Sequence, residues 1–217
     1  MLRTKLFQAF AALVIVFGLI SAFIGIHMIT GRVIGGAQNQ VNLDIGSAWS
    51  IFDNRLEKIE TIIDMVVIKR AVVDAAAEKL WTGADIRQRL EVIRRNFGLD
   101  FLTVVSPEGT VVLRSAAPYN EGDFVFQNPA VGRALKGEHV KGIVLMSSVE
   151  LENEASGLAE QAFMTLEDTP RARPTPRKAE DRGMAMVAAA PILKGPQLIG
   201  VIYAGVLLNR HQDLVDE

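Results

Sequence analysis

The sequence predicts an α+β fold in which a five-stranded antiparallel sheet carries helices and follows a long N-terminal helical region. The chain up to residue 97 reads mainly as helix, and beyond it the apolar period changes to that of strands. Tight-turn sequences join the strands at both ends of the sheet, which favours antiparallel pairing. The chain has 217 residues and a net charge of −2, so it can form one ordinary domain and lacks the basic character of nucleic-acid binders.

Residues 7–30 contain no Asp, Glu, Lys or Arg and are about long enough to cross a bilayer as a helix. Arg3 and Lys5 lie in the preceding residues 1–6, so the positive-inside rule predicts a cytoplasmic N-terminus and a domain outside the inner membrane. A cleaved signal peptide is the alternative, but its apolar core would be shorter, and the best cleavage sequence, at residues 35–37, is weak. We therefore expect an uncleaved single-pass anchor.

Residues 33–97 are predicted to form a long helix over 33–80 and a second helix over 84–96, with Gly98 as its C-cap. Apolar residues form a heptad-like seam along the long helix at Ile45, Ala48, Phe52, Leu56, Ile59, Ile63 and Val66. Such a seam is typical of a helix on its own sheet or of a parallel dimer helix. Both can hold if the first part dimerises and the later part packs on the sheet.

The segment 98–208 contains the sheet. Its strands are predicted over residues 101–105, 111–115, 141–151, 184–193 and 197–208. Turns at 106–109 and 194–197 join the first and the last pair into hairpins. Two short helices are predicted between the strands, over residues 129–135 and 152–163. A long exposed loop is predicted over residues 166–183. Asn128 is the predicted N-cap of the first short helix.

Several stretches resemble a Cache-type extracytoplasmic sensor domain. They are the hairpin VVSPEGTVVLRS, Gly122-Asp123, NPAVGRALKGE, TPRARPTP, GMAMVAAAPI and GVLLNRHQDLVDE. The resemblance covers about residue 33 to the C-terminus and is to the first module of a Cache-fusion sensor region. It implies a PAS-like sheet with a long helix packed on it, in a bacterial histidine kinase or chemoreceptor. Residues 209–217 resemble the start of a connector helix, so a second module is expected to follow in a longer receptor.

The resemblance implies a ligand on the sheet face opposite the long helix. Arg114 is the leading candidate contact, because it interrupts an apolar strand and can bind a carboxylate through two hydrogen bonds. A structural ion pair with Asp123 is the alternative. The other candidate contacts are Tyr203, Lys141 as a second positive charge, and Met146 and Ser148 on the middle strand. Gly122 and Asp123 are interpreted as structural residues of a loop.

No catalytic constellation is recognised, so the chain is not expected to be an enzyme, and no cofactor or metal is predicted. There is no cysteine, the three histidines share no metal-ligand spacing, and no phosphate-binding glycine motif occurs. The acidic cluster Glu150, Glu152 and Glu154 is interpreted as a solvated turn. The basic run Arg171, Arg173, Arg177 and Lys178 is interpreted as a solvated loop, with a lid over an anion as the alternative.

The leading hypothesis is a membrane-anchored periplasmic sensor domain that binds a small organic anion. It would transmit the signal by helix displacement in a homodimer, to an output of two-component or chemotaxis type. The second hypothesis is a structural or interaction module that spaces or pairs with a second Cache module. An anchored enzyme is the weakest, because no catalytic group supports it.

Overall fold

The structure is a computed structural model that describes residues 2–69, 72–74, 84–167, 169–170, 173 and 175–210. The chain divides into two compact units, Met1–Phe52 and Asp53–Glu217. The helices are α1 (Leu2–Val67), α2 (Ala84–Asn96), α3 (Pro129–Ala134), α4 (Ser148–Glu154) and α5 (Leu158–Ala162). The strands are β1 (Phe101–Val105), β2 (Val111–Arg114), β3 (Val140–Met146), β4 (Met164–Thr165), β5 (Ala179–Glu180), β6 (Gly183–Lys194) and β7 (Gln197–Leu207). The α+β class is therefore confirmed.

The first unit consists of helix α1 as far as Phe52. Large apolar side chains are exposed along its beginning, at Phe7, Phe10, Leu13, Val14, Ile15, Val16, Phe17, Leu19, Ile20 and Phe23. Among the described residues, no helix reaches the combination of length and hydropathy that a membrane span requires. The predicted anchor over residues 7–30 extends into residues 24–30, whose side chains lie outside the described set.

In the second unit, the end of α1 is a core element. Leu56, Ile59, Ile63 and Val66, which continue the predicted seam, are all buried. The helix ends at Val67, where a turn follows and the Lys69 amide donates to the carbonyl of Val66 at 3.1 Å. The prediction of one continuous helix reaching residue 80 is therefore wrong at this turn. Residues 72–74 are helical again, and residues 70, 71 and 75–80 lie outside the described residues.

Helix α2 has the predicted bounds, Ala84–Asn96, with Asp85 in its first turn. Gly98 adopts a φ of +66°, and the Leu99 amide donates to the Arg94 carbonyl at 2.9 Å. This hydrogen bond closes a turn of six residues, as in a Schellman motif, and so ends the helix in the way expected of a glycine C-cap. The prediction for Gly98 is confirmed. Leu90 faces inward and is buried.

The five long strands form one antiparallel sheet in the order β2-β1-β7-β6-β3. The middle strand of the sequence, β3, therefore lies at the edge of the sheet. The prediction of a strand over 141–151 is wrong beyond Met146. Ser147 and Glu150 form a capping box there, which satisfies two free amides and starts helix α4. Ser148 consequently belongs to a helix.

The two faces of the sheet are covered by different helices. On one face, Val131 of α3, Leu151 of α4 and Leu158 of α5 belong to a core that includes strand residues of β1, β3, β6 and β7. Side chains alternate along a strand, so Lys141 points to the opposite face, where it bonds to Glu60 of α1 at 2.7 Å. The face covered by α3, α4 and α5 is thus the one opposite the long helix.

Candidate functional site around Arg114

Arg114 ends β2 on the face covered by the short helices, and its side chain is 1% exposed. Nε donates to Glu154 at 3.2 Å, and Nη2 donates to Glu154 at 3.0 Å and to Asp123 at 2.8 Å. Nη1 donates to Asp123 at 2.6 Å and to the Asn120 carbonyl at 2.7 Å. An arginine has five N–H donors, and these five bonds use all of them. In this state Arg114 has no donor left for a ligand.

Glu154 is the residue that sequence reasoning missed. It is the last residue of α4, and its side chain is 1% exposed, so the interpretation of the acidic cluster as a solvated turn is wrong for this position. Glu150 caps α4, and the exposed Glu152 accepts from the Gly157 amide at 3.1 Å. The spacing of three residues between Leu151 and Glu154 is the signal that could have found it, because it places the carboxylate on the same side of a helix as a buried leucine.

Two hydroxyl groups complete the environment of the Glu154 carboxylate. Thr103 of β1 donates its hydroxyl to Oε2 at 2.5 Å, and Tyr203 of β7 donates its hydroxyl to Oε1. Both residues are fully buried. Thr103 is paired in register with Arg114 on one side and with Tyr203 on the other, so the three side chains form one row across three adjacent strands.

The loop between β2 and α3 closes over Arg114 together with the end of α4. Asn120 donates its amide to the side chain of Asn153 at 2.9 Å, and the Ser156 amide donates to the Ala117 carbonyl at 2.7 Å. Gly122 adopts a φ of +93°, a conformation that favours glycine, directly before Asp123. The turn brings the Asp123 carboxylate to the guanidinium of Arg114, and the interpretation of the pair as structural stays a prediction.

Burial and charge within the cluster shift the pKa values of Arg114, Asp123 and Tyr203. Burial lowers the pKa of Arg114, but the hydrogen bond with Asp123 and the charge of Glu154 outweigh this effect, so the pKa is raised above its usual value. The hydrogen bond from Arg114 lowers the pKa of the Asp123 carboxyl, against the opposing effect of burial. Burial, reinforced by the Glu154 carboxylate, raises the pKa of Tyr203. Arg114 is therefore a cation, and Tyr203 a neutral hydrogen-bond donor, at neutral pH.

The remaining candidate contacts do not join this cluster. Lys141 lies on the α1 face, where its hydrogen bond with Glu60 raises its pKa. Ser148, in the first turn of α4, is 3.4 Å from Asp181. Met146 is buried in the apolar core on the Arg114 face. Of the predicted set, the structure brings together Arg114 and Tyr203, through Glu154.

The basic run after β4 lies only partly within the described residues. Arg171 lies outside them, while Arg173 and Lys178 are exposed. Arg177 is 3.3 Å from Glu180, on the short strand β5. The lid over an anion stays a prediction. A cavity of about 490 Å³ lies beside α2, lined by residues such as Leu90 and Ile93, and does not include Arg114.

No protein-family model matches this sequence, and no curated protein matches it. Among solved structures, the chain is similar to the sensor domain of the V. cholerae histidine kinase DctB, at 16% identity and a TM-score of 0.53, over 77% of this chain and 55% of that one. It is also similar to the E. coli DcuS sensor domain, at 15% identity and a TM-score of 0.52, over 77% of this chain and 99% of that one.

The chain spans about half the length of the DctB sensor domain and corresponds to nearly all of the DcuS sensor domain. At this level of identity the similarity concerns the fold. The chain therefore has the same overall fold as these two sensor domains.

Proposed function

We propose that this chain is the signal-input part of a membrane-anchored bacterial receptor, with its sensor fold in the periplasm. The fold supports this role, since the two similar structures are sensor domains and one of them belongs to a histidine kinase. The charge-free segment 7–30, with its exposed apolar side chains, supports a single-pass anchor. A histidine kinase or chemoreceptor output would then lie in the remainder of the receptor.

The ligand site lies on the sheet face that carries Arg114, Thr103 and Tyr203, and the ligand is a small organic anion. The observation that carries this proposal is the convergence of these three buried donors on a single carboxylate, that of Glu154. Donors fixed on a rigid sheet in a site with little water are suited to recognising a carboxylate. Lys141, Met146 and Ser148 play no part in this site.

One observation favours the second candidate, a structural module that spaces or pairs with another Cache module. All the donors of Arg114 have partners within the chain, and its side chain is 1% exposed. The role of such a cluster is then purely structural: it holds the loop and α4 onto the sheet. The two candidates differ in whether a small molecule binds.

Thermal denaturation of the full chain in detergent, against a panel of small organic acids, amino acids and amines, tests the sensing role. A compound that binds only the folded state raises the melting temperature. We expect one organic acid to do so, and Thr103→Val to weaken the effect because it removes a donor. Lys141→Ala, on the other face, is the control that retains it. A folded chain whose melting temperature responds to no compound would support the structural module instead.

Transmission is proposed to run through a dimer of α1. The later seam residues are buried in the second unit, which leaves the first part of the seam, around Ile45 and Ala48, exposed for a partner helix. Because the chain has no cysteine, single cysteines can report this contact. Ile45→Cys should form a disulfide between two chains in the membrane under oxidation. Leu43→Cys, which is also exposed but lies on the other side of the helix, should do so slowly. Equal rates at both positions would rule out this seam.

A further inference from the structure

The side chains around Glu154 form a binding site for one carboxylate group. Arg114 donates twice and Tyr203 once to Oε1, and Thr103 donates to Oε2. The donors belong to three adjacent strands of the sheet, whereas the carboxylate belongs to a helix packed on that sheet. Glu154 is 40 residues from Arg114 and 51 residues from Thr103 along the chain. The acceptor is thus delivered to a preformed donor set from a separate segment.

The count of hydrogen-bond donors, rather than the charge, indicates what this donor set requires. Asp123 already forms a two-bond ion pair with Arg114, and its side chain is 35% exposed. Without Glu154, that pair would be neutral, while Arg114 Nε and the hydroxyls of Thr103 and Tyr203 would be buried with no acceptor. Unsatisfied buried donors are costly. One carboxylate, from any source, would satisfy them all.

Hydrogen bonds next to Glu154 connect the end of α4 to the loop between β2 and α3. Its neighbour Asn153 accepts from Asn120, and Ser156, two residues further on, donates to Ala117. These bonds join the end of α4 to the loop that carries Asp123. Movement of Glu154 out of the site would therefore release the loop from α4.

We infer that the chain supplies its own ligand: the Glu154 carboxylate occupies an anion site, and a free small carboxylate binds there in its place when Glu154 leaves. This inference rests on the proposed ligand site and specifies how that site is occupied. A signalling anion then competes with Glu154, and its binding displaces the end of α4 and the loop bonded to it. The site therefore has two states. In the structure it is occupied by Glu154, and in the second state it is occupied by the ligand.

Chemical rescue of a Glu154 deletion tests this inference directly. Glu154→Ala removes a CH₂–COO⁻ group, which acetate replaces atom for atom, while Glu154→Gly removes one more carbon and matches propionate. We expect E154A, in the full chain, to melt at a lower temperature than wild type. Acetate should raise that temperature relative to chloride at equal ionic strength, by roughly 2–4 °C at about five times the apparent Kd. Propionate should be the better ligand for E154G.

Three controls isolate the site. Glu160→Ala removes an exposed carboxylate from the neighbouring helix α5 and should show no acetate effect beyond that of wild type. R114L/E154A lacks the guanidinium and should not be rescued. Glu154→Gln keeps the size and acceptor oxygen of the side chain, so it should fold and remain insensitive to acetate. Equal stabilisation of wild type, E160A and E154A by acetate would overturn the inference. The inference would also be overturned if E154Q folds while acetate neither stabilises E154A nor restores its folding.

This rescue and the ligand screen on wild type fail independently. If acetate rescues E154A while wild type responds to no ligand, the self-occupied anion site stands and the sensing role is rejected. If wild type responds to a ligand while acetate does not rescue E154A, sensing stands and the role of Glu154 as occupant is rejected.

Discussion

Replacing Arg114 with alanine should reduce the free energy of unfolding by about 3–5 kcal/mol, the usual loss when one partner of a buried ion pair is removed. The substitution leaves the fully buried Glu154 and the half-buried Asp123 without the cation that both carboxylates bind. It also removes the bond that holds the Asn120 carbonyl. Denaturant unfolding followed by circular dichroism measures the change through the shift in midpoint at constant slope.

Arg133→Ala is the matched control for this prediction. Arg133 also pairs with a glutamate, Glu138 at 2.7 Å, but its side chain is 59% exposed. Exposed pairs contribute little, so a loss of about 0.5 kcal/mol or less is expected. The loss in R114A/E154Q should also be smaller than the sum of the single losses, because the two residues share one interaction. Similar losses in R114A and R133A would show that the cluster does not stabilise the domain.

Replacing Gly205 with alanine should also be strongly destabilising. A Cβ at this position of β7 would lie 2.5 Å from the Phe101 ring and 2.6 Å from the Met186 carbonyl oxygen, both closer than real Cβ contacts allow. Phe101 is fully buried and packs edge-on against Tyr203, with ring centroids 5.9 Å apart. The clash would therefore be transmitted to the donor set around Glu154. We expect a loss of roughly 1–3 kcal/mol, as for other overpacked cores.

Gly142→Ala provides the comparison within the same sheet. Gly142 lies on the edge strand β3, and a Cβ added there would meet no atom within 4 Å. Its melting temperature should match that of wild type or rise slightly, since alanine has less backbone freedom to lose on folding. If G142A and G205A melted at the same temperature, the packing of Phe101 against β7 would be looser than described. The acetate response of G205A/E154A would then also be unchanged.

Elements with a local signal were predictable from the sequence. The capped helix after Asn128, the glycine that ends α2 and the two turn-linked hairpins depend on contacts between residues a few positions apart. The end of β3 carried a local signal too. However, Val149 and Leu151 extended the apolar pattern past the Ser147 capping box, and the strand was predicted too long. At this position the capping box starts a helix, and the apolar pattern does not continue the strand.

The sequence alone determined the fold class and the hairpins. It also singled out Arg114, because a charge inside an apolar strand is unusual in any context, and the role of Arg114 as a ligand contact stays a prediction. The sequence also raised the ion pair with Asp123, nine residues away, as an alternative. The edge position of β3, the placement of Lys141 on the other face and the partnership with Glu154 were decided only by the tertiary structure. These depend on strand order and on contacts across 40 to 81 residues, which no local pattern specifies. From the sequence alone, a carboxylate at a helix end is expected to be solvated, because the sheet that buries it is specified only by the tertiary structure.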